Sequence, residues 1–554
     1  MKFKTILILL LVPFALVSSE LEKSANIRGL FSLTYKSNIN FDISFTKNAY
    51  TNNGNSVRIR RDIKPFKKKK LLRALLINGS LWLADSIRYW ATYAAWIEDW
   101  QFQLNWEDQS ERFFTLKANR FDSNPFKTNW THGLGGAIHY NTARYHGLTV
   151  IESLLFATTF SLAWEYLTEW REVISINDNF FSGIGGLPIG EPLYQLGKYL
   201  LGRKGTISHI AGYILNPVFA LNDILGGKKW RSHFSEDYFS YPTFYLKISN
   251  ENIDNNYSDG IRTNRFHFYA ESEFKKIPGF GIPSVEETNL SLNSTFYSSI
   301  KFGISLGSIG IQEYTFDTKV IYLGYFHQRL NKNPAGLLKG YSFYIGASSA
   351  FGLFKKRALE YYDISEYHYD FTGGEEPVQP LNFTDKLAII NLIGPSTHIS
   401  LYSSPFKLEI TADAYFDFGL INSLALNKYS QNNNIFKTRM KTTLSYYGYY
   451  YAFGYTLNLN TKLKLGNIFF TGGAKYQKYG SIQGLDRFED KVQDDSKIID
   501  SRSIFSSSIG YKIPRTNLVI SILFERRNRR GSLHDITVKA SETRILSSIG
   551  FLFE

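Results

Sequence analysis

The chain has 554 residues, no cysteine, 63 Lys and Arg against 49 Asp and Glu, and 16% aromatic residues. Without cysteine it has no disulfide framework, zinc ribbon or thiol nucleophile. The formal net charge is +14, but only 20% of the residues are charged, and no nucleic-acid-binding motif accompanies the basic excess. We therefore predict no nucleic-acid partner. A chain of this length predicts more than one domain.

Residues 1–19 have the pattern of a secretory signal peptide. Lys2 and Lys4 precede an apolar run from Ile6 to Val17, and small residues follow, up to Ser19. This run is shorter than the roughly 18–20 apolar residues of a membrane anchor. The sequence therefore predicts export, and charges within the later apolar stretches argue against helices of an inner-membrane protein.

Residues 20–70 form an N-terminal segment that ends in a basic linker. The basic run extends from Arg58 to Lys70 and contains Pro65. Such a run is either a solvated linker or a contact with anionic lipid headgroups, where each basic residue contributes about 1 kcal/mol. Both interpretations remain open.

The region 233–554 alternates between apolar and polar residues. From Phe406 to Phe418 every even position is apolar, while most odd positions are polar or charged. This period of two predicts strands with one apolar face, and segments well beyond the roughly 5–6 residues of soluble strands suit a bilayer. Aromatic residues flank these strands, as Tyr449 to Tyr451 do after Gly448, which suits an interfacial girdle.

We therefore predict an α+β membrane protein, with a helical N-terminal domain followed by a C-terminal transmembrane antiparallel β-barrel. The barrel is expected to have about 12 strands, within a range of roughly 10–14, and a narrow lumen. The last alternating segment ends at Phe553 and resembles the terminal strand that the barrel assembly machinery recognises. Partners are thus outer-membrane lipids and that machinery. The expected location is the bacterial outer membrane.

Between the linker and the barrel, residues 71–232 have a helical, hydrophobic pattern that encloses many polar residues. The motifs concerned are His132, Tyr140, Ala143 with Arg144, Glu152 with Ser153, Trp164 with Glu165, Ser175 with Asn177 and Asp178, Gly185 with Gly186, and Gly190 with Glu191. In this order they resemble an uncharacterised bacterial family, domain of unknown function 3943, over a core of 121–223. The resemblance implies an exported, outer-membrane-associated protein without an established activity.

Two functions are consistent with these residues. The first is an outer-membrane barrel whose periplasm-side helical domain acts as plug, gate or scaffold. The second is an envelope lipid- or glycan-modifying hydrolase, in which His132, Glu165 and Asp178 are the candidate catalytic residues. The sequence does not decide whether the protein is an enzyme.

The other polar residues are expected to form a binding or structural polar core: Arg88, His139, Tyr140, Arg144, Glu152, Asn177 and Glu191. The small residues Gly135 and Gly136 predict close helix packing beside them. Successive seven-residue steps, as from His132 to His139, span about 10.5 Å of helix, too far for ligands of one metal ion. We predict no metal site and no cofactor, and the oligomeric state does not follow from the sequence.

Overall fold

The computed structural model describes 69–93, 101–122, 124–203, 205–226, 241–255, 262–277, 280–281, 283, 287–291, 295–308, 310–332, 337–356, 367–369, 375–377, 385–426, 448–485 and 497–553. The predicted signal peptide and most of the basic run lie outside these residues. So does the segment 438–444, which the same period of two also predicts to be a strand. The described residues fall into two compact units. The helical unit lies within Ile59–Asn119 and Gly133–Asp237, and the barrel unit within Arg120–His132 and Tyr238–Glu554.

The helices precede the long strands, as predicted. They are α1 (Leu71–Arg88), α2 (Trp106–Phe114), α3 (Phe126–Tyr145), α4 (Val150–Ala163), α5 (Gly186–Leu201), α6 (Thr206–Leu215) and α7 (Pro217–Gly226). Shorter helical turns are Tyr89–Tyr93, Trp164–Thr168, Ile176–Asp178 and Asn179–Ile184, and two-residue strands are Asn119–Arg120 and Ile174–Ser175. Within the described residues, no helix combines the length and apolar character needed to cross a bilayer.

Local sequence explains where α4 begins. Thr149 precedes the helix, and its hydroxyl accepts a hydrogen bond from the amide of Glu152, while the Glu152 carboxylate accepts one from the amide of Thr149. This reciprocal capping satisfies two amides that would otherwise lack partners at a helix start. Glu152, a predicted polar-core residue, also forms an ion pair with Lys69 at 2.7 Å.

Twelve long antiparallel strands form the barrel. They are β1 (Tyr241–Asn255), β2 (Arg262–Lys275), β3 (Tyr297–Gly307), β4 (Gly310–Lys332), β5 (Leu338–Lys356), β6 (Asp385–Ser403), β7 (Phe406–Asn422), β8 (Tyr449–Leu465), β9 (Ile468–Ser481), β10 (Ile498–Lys512), β11 (Leu518–Leu533) and β12 (Ile536–Phe553). The short strand Glu287–Ser291 also pairs with β4, and Tyr367–Tyr369 pairs with Glu375–Pro377.

The sheet closes on itself. Each strand pairs with the next along the chain, and β12 pairs with β1, for example Ile549 with Ile248. Closure leaves no free edge among these twelve strands, which a barrel needs in a membrane because lipid offers no hydrogen bonds. The predicted fold and strand number are confirmed.

The two faces of the wall follow the predicted alternation. On β7, Phe406 and Phe416 are exposed on the outer wall, whereas Asp413 and Asp417 are buried on the lumen side. The last strand repeats the pattern, with Ile545, Ile549 and Phe551 exposed outside. A closed, even-numbered antiparallel barrel with an apolar outer wall is the architecture of bacterial outer-membrane proteins. The predicted outer-membrane class is confirmed at this level.

The barrel has two distinct mouths. At the terminal mouth β1 begins and β12 ends, and adjacent strands there are joined by 276–296, 333–337, 404–405, 466–467 and 513–517. At the loop mouth the connections are 256–261, 308–309, 357–384, 423–448, 482–497 and 534–535. The longest connections thus lie at the loop mouth.

Candidate functional site

The polar core of the helical unit is centred on the carboxylate of Glu191, which is fully buried. Arg144 donates from Nε to Oε2 at 2.7 Å and from Nη2 to Oε1 at 3.1 Å. The Tyr140 hydroxyl donates to Oε2 at 2.8 Å, and Gln195 donates its side-chain amide to Oε1. Burial, together with the Glu191 charge, raises the pKa of Tyr140 well above its ordinary value.

The geometry around Glu191 is that of a satisfied buried ion pair. The guanidinium of Arg144 also donates to the carbonyl of Leu148 at 2.7 Å and stacks over the ring of Tyr194 at 5.0 Å. A bidentate pair with further hydrogen bonds compensates much of the cost of burying both charges. Sequence reasoning brought Tyr140, Arg144 and Glu191 together, but it missed Gln195, which lies one helical turn after Glu191.

Close glycine contacts bring α3 against α5. At Gly136, a β carbon would lie 1.8 Å from the carbonyl oxygen of Ser182, and at Gly186 it would lie 2.8 Å from the carbonyl oxygen of Gly136. Only glycine permits this approach of two backbones. At the neighbouring residue Gly135, by contrast, a β carbon would have no atom of another residue within 4 Å.

The candidate residue His139 lies in a different part of the helical unit from Glu191. Its Nδ1 pairs with Oδ1 of Asn78 at 2.9 Å, and its ring stacks on Phe160. Burial lowers the pKa of His139 to about 4. A neutral imidazole whose Nδ1 donates to Asn78 accounts for this contact. Arg88, another predicted core residue, instead pairs with Asp85 at the surface, at 2.7 Å.

Two of the three candidate catalytic residues converge on Ser175. Oε2 of Glu165 accepts a hydrogen bond from the backbone amide of Ser175 at 2.8 Å, and the backbone amide of Asp178 donates to Oγ of Ser175 at 3.2 Å. Asn177 donates its side-chain amide to Asp178 at 2.9 Å. His132 belongs to the barrel unit, where its side chain is half-buried.

Sequence reasoning also missed the role of Arg112. Its guanidinium is fully buried and donates to the backbone carbonyls of Glu165, Tyr166, Glu169 and Glu172. These carbonyls lie at and after the helical turn that ends α4, where backbone acceptors lack partners within the helix. A cation at a helix C-terminus is also favoured by the helix dipole. Burial lowers the pKa of Arg112, and the role it has here is structural.

The second candidate site is the barrel lumen, which encloses a cavity of ≈ 800 Å³. Strands β3, β4 and β7 to β9 contribute polar residues to its wall. Among them are Lys301, Asp317, Asp413, Asn458, Lys475 and Gln477. Both signs of charge are present, and Lys319 crosses from β4 to pair with Asp413 on β7 at 2.6 Å.

At the loop mouth, ion pairs cross the lumen between strands that are not neighbours. Arg544 on β12 donates to Glu313 on β4 at 2.6 Å, and it also donates to Glu251 on the adjacent strand β1 at 3.0 Å. Arg529 on β11 donates to Asp385 on β6 at 2.6 Å. We call this set the ion-pair layer: Glu251, Glu313, Lys356, Asp385, Asp500, Arg502, Arg527, Arg529, Glu542 and Arg544.

An apolar cluster lies beside the ion-pair layer. It includes Ile389, Ile421, Leu426 and Tyr450, all buried. Tyr450 also donates its hydroxyl to Asp500 at 2.9 Å, so the cluster and the layer are joined. Several residues of the layer and of the cluster, among them Arg544, Asp385 and Ile389, also line the cavity.

On the outer wall, the barrel unit holds the anchor segment, which we define as residues 120–122 and 124–132. The side-chain amide of Asn129 donates to the hydroxyls of both Tyr449 and Tyr451. Tyr451 donates in turn to the carbonyl of Asp122, and Tyr449 to that of Asn124.

Aromatic contacts reinforce this attachment. The ring of Phe121 stacks on Tyr451 at 4.4 Å and on Phe418 at 6.1 Å. Phe126 packs edge-on against Tyr449 at 5.7 Å. The predicted interfacial girdle is wrong for these tyrosines, because Tyr449 and Tyr451 are buried against the anchor segment and Tyr450 belongs to the inner apolar cluster.

Comparison with known proteins identifies part of the helical region. Residues 118–218 match the family described as Domain of unknown function (DUF3943). The predicted resemblance is confirmed. The DUF3943 segment contains the Glu191 ion pair and all three candidate catalytic residues, and it overlaps the anchor segment.

No curated protein matches the chain. Several solved barrels align with it at low identity. They include OmpT of Vibrio cholerae (7% identity, 58% of this chain and 98% of that one, TM-score 0.20) and the NalP translocator domain of Neisseria meningitidis (7%, 56% and 88%, 0.19). A FadL homologue of Pseudomonas aeruginosa aligns with 8% identity over 57% of this chain and 90% of its own, at a TM-score of 0.22.

Proposed function

We propose that this protein is an outer-membrane barrel whose lumen is a gated chamber for small polar solutes. The observation that carries the proposal is the ion-pair layer, which crosses the lumen next to the cavity of ≈ 800 Å³. A cavity of roughly 300–1,000 Å³ suits one small molecule. The mixed charges on its wall favour polar or zwitterionic solutes over apolar ones.

The ion-pair layer is suited to gating because it consists of charged side chains and not of backbone. The charged groups of Arg544 and Glu313 are buried and held by pairing across the lumen, whereas the buried Asp500 pairs with Arg529 on the adjacent strand. Loss of one partner leaves the other charge buried and unpaired, at a cost of about 3–5 kcal/mol. Such a layer therefore rearranges when a charged solute competes for one of the ion-pair partners. It also rearranges when one of the partners loses its charge.

Within this proposal the helical domain acts as a plug, gate or scaffold. The anchor segment, which belongs to the barrel unit, contacts Tyr449 and Tyr451 on the outer wall and not in the lumen. Plugging by another part of the helical domain, and its position on the periplasmic side, remain predictions.

The lengths of the connections bear on sidedness. In outer-membrane barrels the periplasmic turns are short and the extracellular loops are longer. By this rule the loop mouth, and with it the anchor segment, is extracellular. A cysteine introduced at the exposed residue Thr128 should then react with a membrane-impermeant maleimide in intact cells. Reaction only after permeabilisation would place the anchor on the periplasmic side.

A solute-flux assay tests the proposed function. Liposomes containing the wild-type protein, or the variant with Glu313→Gln and Glu542→Gln, are challenged with neutral, anionic, cationic and zwitterionic solutes of similar size. The charge-neutralised variant should admit polar solutes faster than the wild type, because the layer is weakened. Glu271→Gln is the control, since Glu271 pairs with Lys301 on an adjacent strand. Equal flux through all three proteins would contradict the gated chamber.

The hydrolase remains the alternative prediction. Glu165 and Asp178 both contact Ser175, but only Glu165 does so through its carboxylate, because Asp178 contributes its backbone amide. Envelope lipids and cell-wall fragments are profiled by mass spectrometry from cells with wild-type protein and with His132→Ala, at equal outer-membrane abundance. A changed lipid or glycan species would support the enzyme. Identical profiles, with the His132→Ala variant folded, would refute an enzymatic reaction that depends on His132.

A further inference from the structure

Along two helices, the helical unit exposes large apolar side chains and buries polar ones. On α1, Leu72 is 66% exposed and Ile87 is 58% exposed, whereas Asn78 is fully buried. This is the reverse of a water-soluble helix, whose apolar stripe faces the core. The number of exposed apolar residues is larger than expected from the isolated leucines found on ordinary protein surfaces.

The exposed stripe of α1 runs along the whole helix. Its positions follow helical spacing and have no charged or hydrogen-bonding side chain: Leu72, Leu76, Gly79, Leu83 and Ile87. In the first half of α1 the opposite side packs into the unit, where Ala74 forms a cluster with Ala143, Leu148 and Phe156.

Helix α4 repeats this arrangement. Leu155 is 61% exposed and Ile151 and Leu162 are also exposed, while Ser153 and Ser161 are buried. The hydroxyl of Ser161 contacts the side-chain oxygen of Asn179 at 3.2 Å. The polar interior of the unit, which includes the Glu191 ion pair, is thus separated from the surroundings by an apolar exterior.

We propose that the apolar exterior of α1 and α4 is embedded in the acyl chains of one leaflet of the membrane. A bilayer is the occupant that this surface fits, because the barrel of the same chain has an apolar outer wall of its own. Asp85 and Arg88, which are exposed near the end of α1, favour a helix that lies in one leaflet over a helix that crosses the bilayer. Lys69 and Lys70, exposed at the start of α1, are placed to meet anionic headgroups. This inference does not depend on the gated lumen.

Depth-dependent fluorescence quenching tests the embedding. Because the natural chain has no cysteine, single cysteines can be introduced without background. Leu83→Cys and Leu155→Cys are labelled with an environment-sensitive fluorophore, and the full chain is reconstituted into vesicles of phosphatidylethanolamine and phosphatidylglycerol. Asp85→Cys is the matched control, since Asp85 is exposed on the side of α1 opposite Leu83.

The expected result is strong quenching of the labels at positions 83 and 155 by lipids that carry bromine or spin labels on the acyl chains. The label at position 85 should instead be quenched by iodide from the aqueous phase. Iodide quenching at all three positions would overturn the proposal. Protection of positions 83 and 155 from both quenchers, with a doubled particle mass, would also overturn it in favour of a second copy of the chain.

Discussion

The side-chain amide of Asn129 donates a hydrogen bond to the hydroxyl of Tyr451, 2.7 Å away, across 322 positions of the sequence. Tyr451 lies on the outer wall of β8, and its neighbour Tyr450 faces the lumen, where it donates to Asp500 in the ion-pair layer. Two consecutive residues of one strand therefore contact the anchor segment on one side and the ion-pair layer on the other. This arrangement couples the two features through the alternation of a β strand.

Removal of the Asn129 side chain should release the anchor segment from the outer wall. Asn129→Ala leaves the buried hydroxyls of Tyr449 and Tyr451 without their donor, which costs about 1–3 kcal/mol. Limited proteolysis in membranes should then cleave near residues 120–132 faster than in the wild type. Thr128→Ala, a change at an exposed neighbouring position, is the control. Equal cleavage of both variants would show that the anchor contacts contribute nothing to stability.

Substitution by alanine should have opposite effects on stability at two adjacent glycines, Gly135 and Gly136. Gly136→Ala forces a methyl group against the carbonyl of Ser182, so α3 must separate from its neighbours. Gly135→Ala meets open space and should stabilise the helix by up to about 1 kcal/mol. Urea unfolding followed by tryptophan fluorescence reports this, because all nine tryptophans lie between residues 82 and 230. A loss of stability at both positions would contradict the proposed packing.

The buried ion pair predicts a non-additive mutant cycle. Glu191→Gln leaves the Arg144 guanidinium without a countercharge and should destabilise the helical unit by about 3–5 kcal/mol. Adding Arg144→Met removes the unpaired charge and should restore part of the loss. The same fluorescence measurement gives the free energies of unfolding of the wild type, of Glu191→Gln, of Arg144→Met and of the double variant. Additive losses would show that the two side chains do not interact.

His139 predicts a specific pH dependence. Burial lowers its pKa from 6.5 to about 4, so the unfolded chain binds a proton at a higher pH than the folded one. The contribution of His139 to the free energy of unfolding is therefore fully present above about pH 6.5, and it decreases as the pH falls towards about 4. His139→Gln keeps a polar partner for Asn78 and should flatten the curve in this window. An unchanged slope in the variant would contradict a neutral buried histidine.

Much of the fold followed from the sequence because period-two alternation is a local signal. Phe406 to Phe418 reveal both faces of β7 without any knowledge of the partner strands. The strand number followed from counting such segments. The polar residues around Glu191 were identifiable as a group, since Tyr140 and Arg144 lie one helical turn apart.

Other features depend on contacts distant in sequence. Arg112 gives no local sign that it caps the end of α4, more than fifty positions later. Nor does the alternation show that Tyr449 and Tyr451 bind the anchor segment instead of facing lipid. The ion-pair layer requires knowing that β4 lies across the lumen from β12, which only barrel closure establishes.

The most direct test of the gated lumen is single-channel conductance in planar bilayers. Wild-type protein is compared with the variant Glu313→Gln and Glu542→Gln, and with the Glu271→Gln control, at equal insertion. If the ion-pair layer is a gate, the wild type and the control should be mostly closed. The double variant should then carry a severalfold higher mean current than either of them. A wild type that is permanently open, or a double variant indistinguishable from it, would contradict the claim that the ion-pair layer closes the barrel.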